Sequence, residues 1–295
     1  QLAREARYPL QAIHIPKTID NDLPLTDTCP GFGSVAKYVA VSVREASFDV
    51  ASMAATSTKV WVLEVMGRHA GWIAAAAALA SDRRHPLPLV ILFPEVVFDP
   101  QAFAAAVREK VDIFGYCTVV VSEGTRDREG RFLADQGSVD AFGHAQLGGA
   151  APVVAELIKR ELGFKVHWAV SDYLQRAARH IASQTDLDQA YAVGRGAVEL
   201  AVAGANAVMA TLVRESHNPY RWTLGQAPLE QVANHERKMP AEFISTDGFG
   251  LSQAGREYLL PLIQGEAYPS YQDGLPDYAL FRGTPVRKRL TTFRL

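Results

Sequence analysis

Apolar positions in this chain fall into short unbroken runs separated by longer amphipathic stretches. The runs at 59–65 (KVWVLEV), 87–93 (LPLVILF), 116–122 (YCTVVVS), 166–170 (VHWAV) and 206–213 (NAVMATLV) read as buried strands. A shorter strand is expected at 11–15 (QAIHI), between Pro9 and Pro16. The intervening segments 34–52, 69–82, 100–113, 150–162 and 187–203 have the composition and length of helices. Strand and helix in alternation predict an α/β protein with one or two mainly parallel sheets. Residues 1–7 (QLAREAR) read as the end of a helix feeding the 11–15 strand. In a parallel sheet such a helix crosses back from an earlier strand. The chain is therefore expected to be the C-terminal part of a longer protein. The tail from Gly265, with Pro269, Gly274 and Pro276, is expected to pack irregularly on the body.

Composition narrows the function classes. The 295 residues are 48% hydrophobic and 21% charged, as in a soluble globular protein with a sizeable core. Thirty Lys and Arg against 32 Asp and Glu leave a charge of -2, so no bulk field favours nucleic acid or an anionic membrane. The longest apolar run, 70–80 (AGWIAAAAALA), is too short to span a bilayer. Cys29 and Cys117 lie far apart without metal-type spacing, which argues for a reducing, cytoplasmic setting. The eight histidines show no paired helical spacing, so a zinc site is not expected.

Ligands in α/β folds sit where loops leave the carboxyl ends of strands. The loop after the first strand, 16–33, reads PKTIDNDLPLTDTCPGFG. Asp20, Asp22 and Asp27 share it with Lys17, Thr18 and Asn21, and two glycines then open a helix. A helix N-terminus beside Gly can hold a phosphate, the carboxylates can serve as a base or face a divalent cation, and Lys17 can neutralise anionic oxygens. Asp and Asn also populate turns for backbone reasons alone. Gly31, Gly33 and Ala36 match the dinucleotide pattern G-x-G-x-x-A, but a long polar loop precedes them and Asp49 lies in a helical stretch, against a dehydrogenase.

Three further groups follow strands. Met66, Gly67 and Arg68 lie in MGRHAG, where Gly67 allows a tight turn and Arg68 offers a fork for phosphate. The same residues would equally punctuate a strand-to-helix turn. Glu123, in SEG, can accept bonds from hydroxyls or serve as a cap or surface acid. Tyr173 and Arg176, in YLQR, share one side of a helical turn and could grip one anion.

Taken in order, PKTIDND, GFG before a helix, EVMGR, SEG and Y-x-x-R resemble the phosphofructokinase family, from about Leu10 to the tail. Lys17 resembles the pyrophosphate-dependent branch, since ATP-using relatives commonly have Gly there. The resemblance implies two Rossmann-like three-layer α/β domains with mainly parallel sheets, the N-terminal portion being absent. Residues 1–31 would end the first domain, 32–174 would form the second, 175–230 would return to the first, and 231–295 would pack on the body. It implies transfer of a phosphoryl group from pyrophosphate to the 1-hydroxyl of fructose 6-phosphate, with Mg²⁺ as cofactor.

Residue by residue, it makes Asp20 the general base, with Asp22 tuning it and Lys17 stabilising pyrophosphate. Thr18 would touch the transferred group or the sugar. Met66, Gly67 and Arg68 would line the sugar site, Glu123 would hold sugar hydroxyls, and Tyr173 and Arg176 would bind the 6-phosphate. The metal ligand is expected outside this chain, in an earlier Gly-rich part that handles donor phosphates, so these residues alone are expected to bind sugar phosphate weakly at best and not to turn over. A homodimer or homotetramer is implied, with Lys59 or His167 completing a neighbour's site. The alternatives are an ATP-dependent 6-phosphofructokinase and a non-catalytic regulatory subunit. The latter would be expected to lose the base, whereas Asp20 is intact.

Overall fold

The computed structural model describes residues 5–133, 135–139, 145–147, 149–280, 283–285 and 287. Strand β1 (Ile13–His14) leads through the polar loop into helix α1 (Phe32–Met53). Phe32, Val35, Ala36, Val39, Ala40 and Val43, spaced three and four apart, bury one face of that helix. Next come β2 (Val60–Val65), α2 (Trp72–Ala76), β3 (Leu89–Leu92), α3 (Pro100–Phe114) and β4 (Cys117–Ser122). Helix α3 begins where the Asp99 carboxylate accepts the Gln101 and Ala102 N–H groups and ends at Gly115, which takes φ 82°. A hairpin pairs β5 (Asp135–Val139) with β6 (Ala145–Leu147), followed by α4 (Ala150–Leu162), β7 (Val166–Val170) and α5 (Asp172–Ala177). The chain continues through α6 (Gln184–Val202), β8 (Val208–His217), β9 (Tyr220–Pro228), α7 (Leu229–Val232) and α8 (Gln253–Leu259).

Four strands form a parallel sheet in the order β3-β4-β2-β7. Their side chains alternate between two cores, as strand geometry requires. Leu63, Val65, Ile91 and Val120 meet α1 and α2 on one face, whereas Val60, Val62, Val90, Leu92, Val119 and Val121 meet α3 and α4 on the other. Met239, Tyr258, Leu259 and Leu262 join the first core. A second sheet has the order β1-β8-β9, with β1 parallel to β8 and β8 antiparallel to β9. Among the described residues no helix is long and apolar enough to cross a membrane.

The structure corrects four expectations. The helix at 69–82 is only α2 with a 3₁₀ continuation, Ala77–Ala80, because the turn through Gly71 occupies the preceding residues. The 206–213 strand runs on to His217 and turns back as β9, which lacks an apolar run because most of its residues are exposed or half-buried. The 11–15 strand shortens to β1, and the tail contains a two-residue hairpin, β10 (Tyr271–Gln272) with β11 (Leu275–Pro276). Of the helix end expected at 1–7, residues 1–4 lie outside the described residues.

Candidate active site

The loop between β1 and α1 brings Asp20 and Asp22 to the carboxyl end of the four-stranded sheet. The Asp20 N–H donates to the Thr18 hydroxyl at 3.1 Å, and that hydroxyl lies 3.3 Å from Asp20 Oδ2. Burial holds the Asp20 carboxyl above its usual range, against the Thr18 hydrogen bond and the charges of Lys17, Arg68 and His69. Burial also raises Asp22, and the neighbouring Asp20 adds to the rise. The loop is held from below by Asn21, fully buried with φ 55°. Its amide donates to the Tyr258 hydroxyl at 3.1 Å and its carbonyl oxygen accepts the Cys29 N–H at 2.9 Å. Asp27, grouped with these acids by sequence, is turned away into an ion pair with Arg214 at 3.0 Å.

The turns after β2 and β4 face that loop. Gly67 takes φ 132°, and a Cβ there would lie 2.7 Å from the Ala70 carbonyl oxygen. A Cβ on Gly124 would fall 2.2 Å from the Arg68 carbonyl oxygen, so the two turns pack backbone to backbone. The Ser122 hydroxyl donates to the Gly67 carbonyl at 2.6 Å, and the Gly67 N–H donates to Glu123 Oε1 at 3.3 Å. Glu123 is neither a helix cap nor a surface acid. Burial raises its carboxyl, opposed by the Gly67 N–H and Arg68, while Asp20 and Asp172 push it further up. Asp20, Arg68 and Glu123, from three separate segments, therefore share one electrostatic neighbourhood.

Helix α5 joins through a residue with no sequence-assigned role. Buried Gln175 accepts the Met66 N–H at 3.3 Å and donates to the Asp172 carbonyl at 3.0 Å. Tyr173 and Arg176 remain exposed, with the guanidinium 4.4 Å above the ring. Of the residues suggested for a neighbour's site, Lys59 bonds the Ala54 carbonyl of its own chain, and His167 is exposed on the edge strand β7.

The suggested phosphate cradle at the start of α1 is already filled. The Asp186 carboxylate accepts the Gly31 N–H at 2.8 Å, the Ser34 N–H at 3.1 Å and the Ser34 hydroxyl at 2.5 Å. Gly31 and Gly33 serve this packing: Gly31 takes φ 105°, and a Cβ on Gly33 would meet the Leu262 carbonyl oxygen at 2.6 Å. The dinucleotide reading fails for the same reason. Asp186→Ala is expected to destabilise the fold by about 2 kcal/mol through loss of this cap, measured as the urea midpoint at constant m-value. An unchanged midpoint would remove the carboxylate from this role.

Other groups here have no counterpart in the motif-based expectations. Arg237 donates through Nε and NH2 to the Asn21 carbonyl, and through NH1 to the Thr26 and Asp27 carbonyls at 2.7 and 2.6 Å. His69 Nδ1 lies 2.7 Å from Glu236 Oε1. The only trace of these in the sequence is the charged run HERK at 235–238, which by itself reads as a solvated stretch. A cavity of about 920 Å³ opens between α3 and α4, and no residue of the acid loop or the two turns lines it. Asp20 and Asp22 offer the oxygen donors Mg²⁺ prefers. Among the described residues, however, no three His, Cys, Asp or Glu side chains gather as a metal site.

This arrangement suits chemistry in which a raised carboxylate, Lys17 and Arg68 meet an anionic substrate. The profile of the family described as Phosphofructokinase matches residues 1–201. The chain belongs to the phosphofructokinase family. A relative from Methylococcus capsulatus (strain Bath), named pyrophosphate–fructose 6-phosphate 1-phosphotransferase, is 67% identical over 98% of this chain and 69% of its own length. A protein of the same name from Halomonas elongata is 59% identical over 100% of this chain and 70% of its own. The crystal structure of a pyrophosphate-dependent phosphofructokinase from Nitrosospira multiformis superposes with TM-score 0.92 at 59% identity, covering 100% of this chain and 70% of that one. The phosphofructokinase fold expected from the motifs is thus present.

Proposed function

We propose that the protein transfers a phosphoryl group from pyrophosphate to the 1-hydroxyl of fructose 6-phosphate, reversibly, giving fructose 1,6-bisphosphate and phosphate. The observation that carries this reading is the convergence of Asp20, Arg68 and Glu123 from three segments of a chain whose relatives bear that name. Asp20 takes the hydroxyl proton as the sugar oxygen forms its bond to phosphorus and the bridging P–O bond breaks. Thr18 orients Asp20 and touches the transferred group. Asp22 tunes the base. Lys17 and Arg68 neutralise the phosphoryl oxygens, where little covalent chemistry is required of the protein.

Met66, Gly67 and Glu123 hold the sugar, on a turn that packs against the turn after β4 because Gly67 and Gly124 lack side chains. Tyr173 and Arg176 take the 6-phosphate. When bound, Mg²⁺ would supply charge neutralisation for the donor phosphates. The cleft lies between two units, 32–174 forming one and 1–31 with 175–230 belonging to the other, with 231–295 as a C-terminal segment on the body. The protein works in the cytoplasm as a homodimer or homotetramer, and the exposed edge strand β7, with His167 and Trp168, is a surface that a second copy could cover.

The test compares pyrophosphate with ATP as donor, using the protein expressed from its complete reading frame. Pyrophosphate is expected to be the better donor, and Lys17→Gly is expected to raise KM for pyrophosphate and lower kcat, with KM for fructose 6-phosphate little changed. Faster turnover with ATP would replace this reading by the ATP-dependent one.

A further inference from the structure

A histidine and a glutamate beside the two acids have no part in the reaction described above. His69 follows Arg68, and its Nδ1 lies 2.7 Å from Glu236 Oε1. A carboxylate can only accept, so Nδ1 carries the proton of this bond. Glu236 comes from the segment between α7 and α8, which is pinned at two points just after it. The Arg237 N–H donates to the Asp22 carbonyl at 2.6 Å, and the Met239 N–H donates to Glu95 Oε1 at 3.1 Å. Glu236 thus stands one residue from a direct bond to the acid loop, and His69 one residue from the proposed sugar-site arginine.

We propose that Glu236 is a positioning residue for phosphoryl transfer, fixing the His69 imidazole beside Asp20 and Asp22 from a segment distant in sequence. The inference rests on Asp20 being the base. His69 sits at a turn and is 39% exposed, so without a partner its ring would sample several rotamers. The bond to Glu236 selects one of them, as an orienting carboxylate does for a working histidine. The placement matters because both acids feel His69, and Asp22 also feels Glu236. The other charged groups about the pair are Lys17, Arg68 and Arg237.

The experiment uses the protein expressed from its complete reading frame and measures steady-state turnover of wild type, Glu236→Gln, Glu236→Ala, His69→Asn and the double variant His69→Asn/Glu236→Ala, with fructose 6-phosphate and pyrophosphate. Glu236→Ala is expected to lower kcat roughly tenfold, the scale typical of a group that orients a functional side chain. KM for fructose 6-phosphate should stay within about twofold of wild type, because the sugar contacts are untouched. Glu236→Gln, which keeps an acceptor, should recover part of the loss. The double variant should be no slower than His69→Asn alone, since Glu236 acts through that ring. Thermal melts of each variant accompany the kinetics, and Glu236→Gln keeps the test decisive if the alanine variant folds poorly. Active wild type with near-normal kcat in both Glu236 variants would overturn the inference alone, as would losses that multiply in the double variant. Wild type without pyrophosphate turnover would instead overturn the functional reading.

Discussion

Replacing Asp20 by alanine is expected to lower kcat by roughly 10²–10⁴, the range associated with loss of the general base proposed above. KM for fructose 6-phosphate changes far less, because Glu123 and the Gly67 turn still shape the sugar site. The wild-type pH profile is expected to reflect the same assignment. Burial disfavours the charged carboxylate, so Asp20 keeps its proton to a higher pH than an exposed aspartate would. A protonated base cannot accept the hydroxyl proton. Activity is therefore lost as the pH falls through this raised value, and the acidic limb of kcat/KM lies above the ordinary aspartate range. In Asp20→Ala the residual rate lacks that limb. Near-normal kcat in this variant would transfer the role to another group.

Arg237→Ala is expected to destabilise the protein by about 3 kcal/mol and to abolish most turnover. The guanidinium makes four hydrogen bonds to the carbonyl oxygens of Asn21, Thr26 and Asp27, and it lies 4.8 Å from the centroid of the Trp72 ring. Its removal leaves half-buried acceptors without their charged donor, each costing about 1–3 kcal/mol where water cannot replace it. The loop that bears Asp20 and Asp22 would relax with them. Arg237→Lys keeps the charge but loses the planar fork that serves three carbonyls at once, so it should recover little. Urea unfolding and kcat measured on both variants check this, and a lysine variant with wild-type stability and turnover would refute it.

The parts of the site legible in the sequence are those encoded within a few residues. The Thr18–Asp20 hydrogen bond spans two positions, the tight turn at Gly67 needs only a residue tolerant of positive φ, and the strands preceding Arg68 and Glu123 are Val-rich runs. These were sufficient to nominate Asp20, Arg68 and Glu123. Gln175 lay inside a recognised motif, yet its function is to hold the Met66 N–H, 109 residues away. The glycines opening α1 suggested a phosphate cradle because nothing nearby reveals that Asp186, 155 residues beyond Gly31, fills it. Asp27 looked like its neighbours until Arg214, 187 residues on, claimed it. The strand β9 escaped notice because a mostly exposed strand has no apolar run to betray it.

Read alone, the sequence determined the α/β class, the order of most strands and helices, and the chemical types gathered at the strand ends. Those depend on periodicity and on local backbone preference, which act over a few residues. Only the tertiary structure decided which acids stay available and which are consumed in caps and ion pairs. It also decided that the distant segment bearing Glu236 and Arg237 would brace the acid loop. Such pairings are set by where the packed chain places groups far apart in sequence, because a half-buried donor or charge must find its partner there.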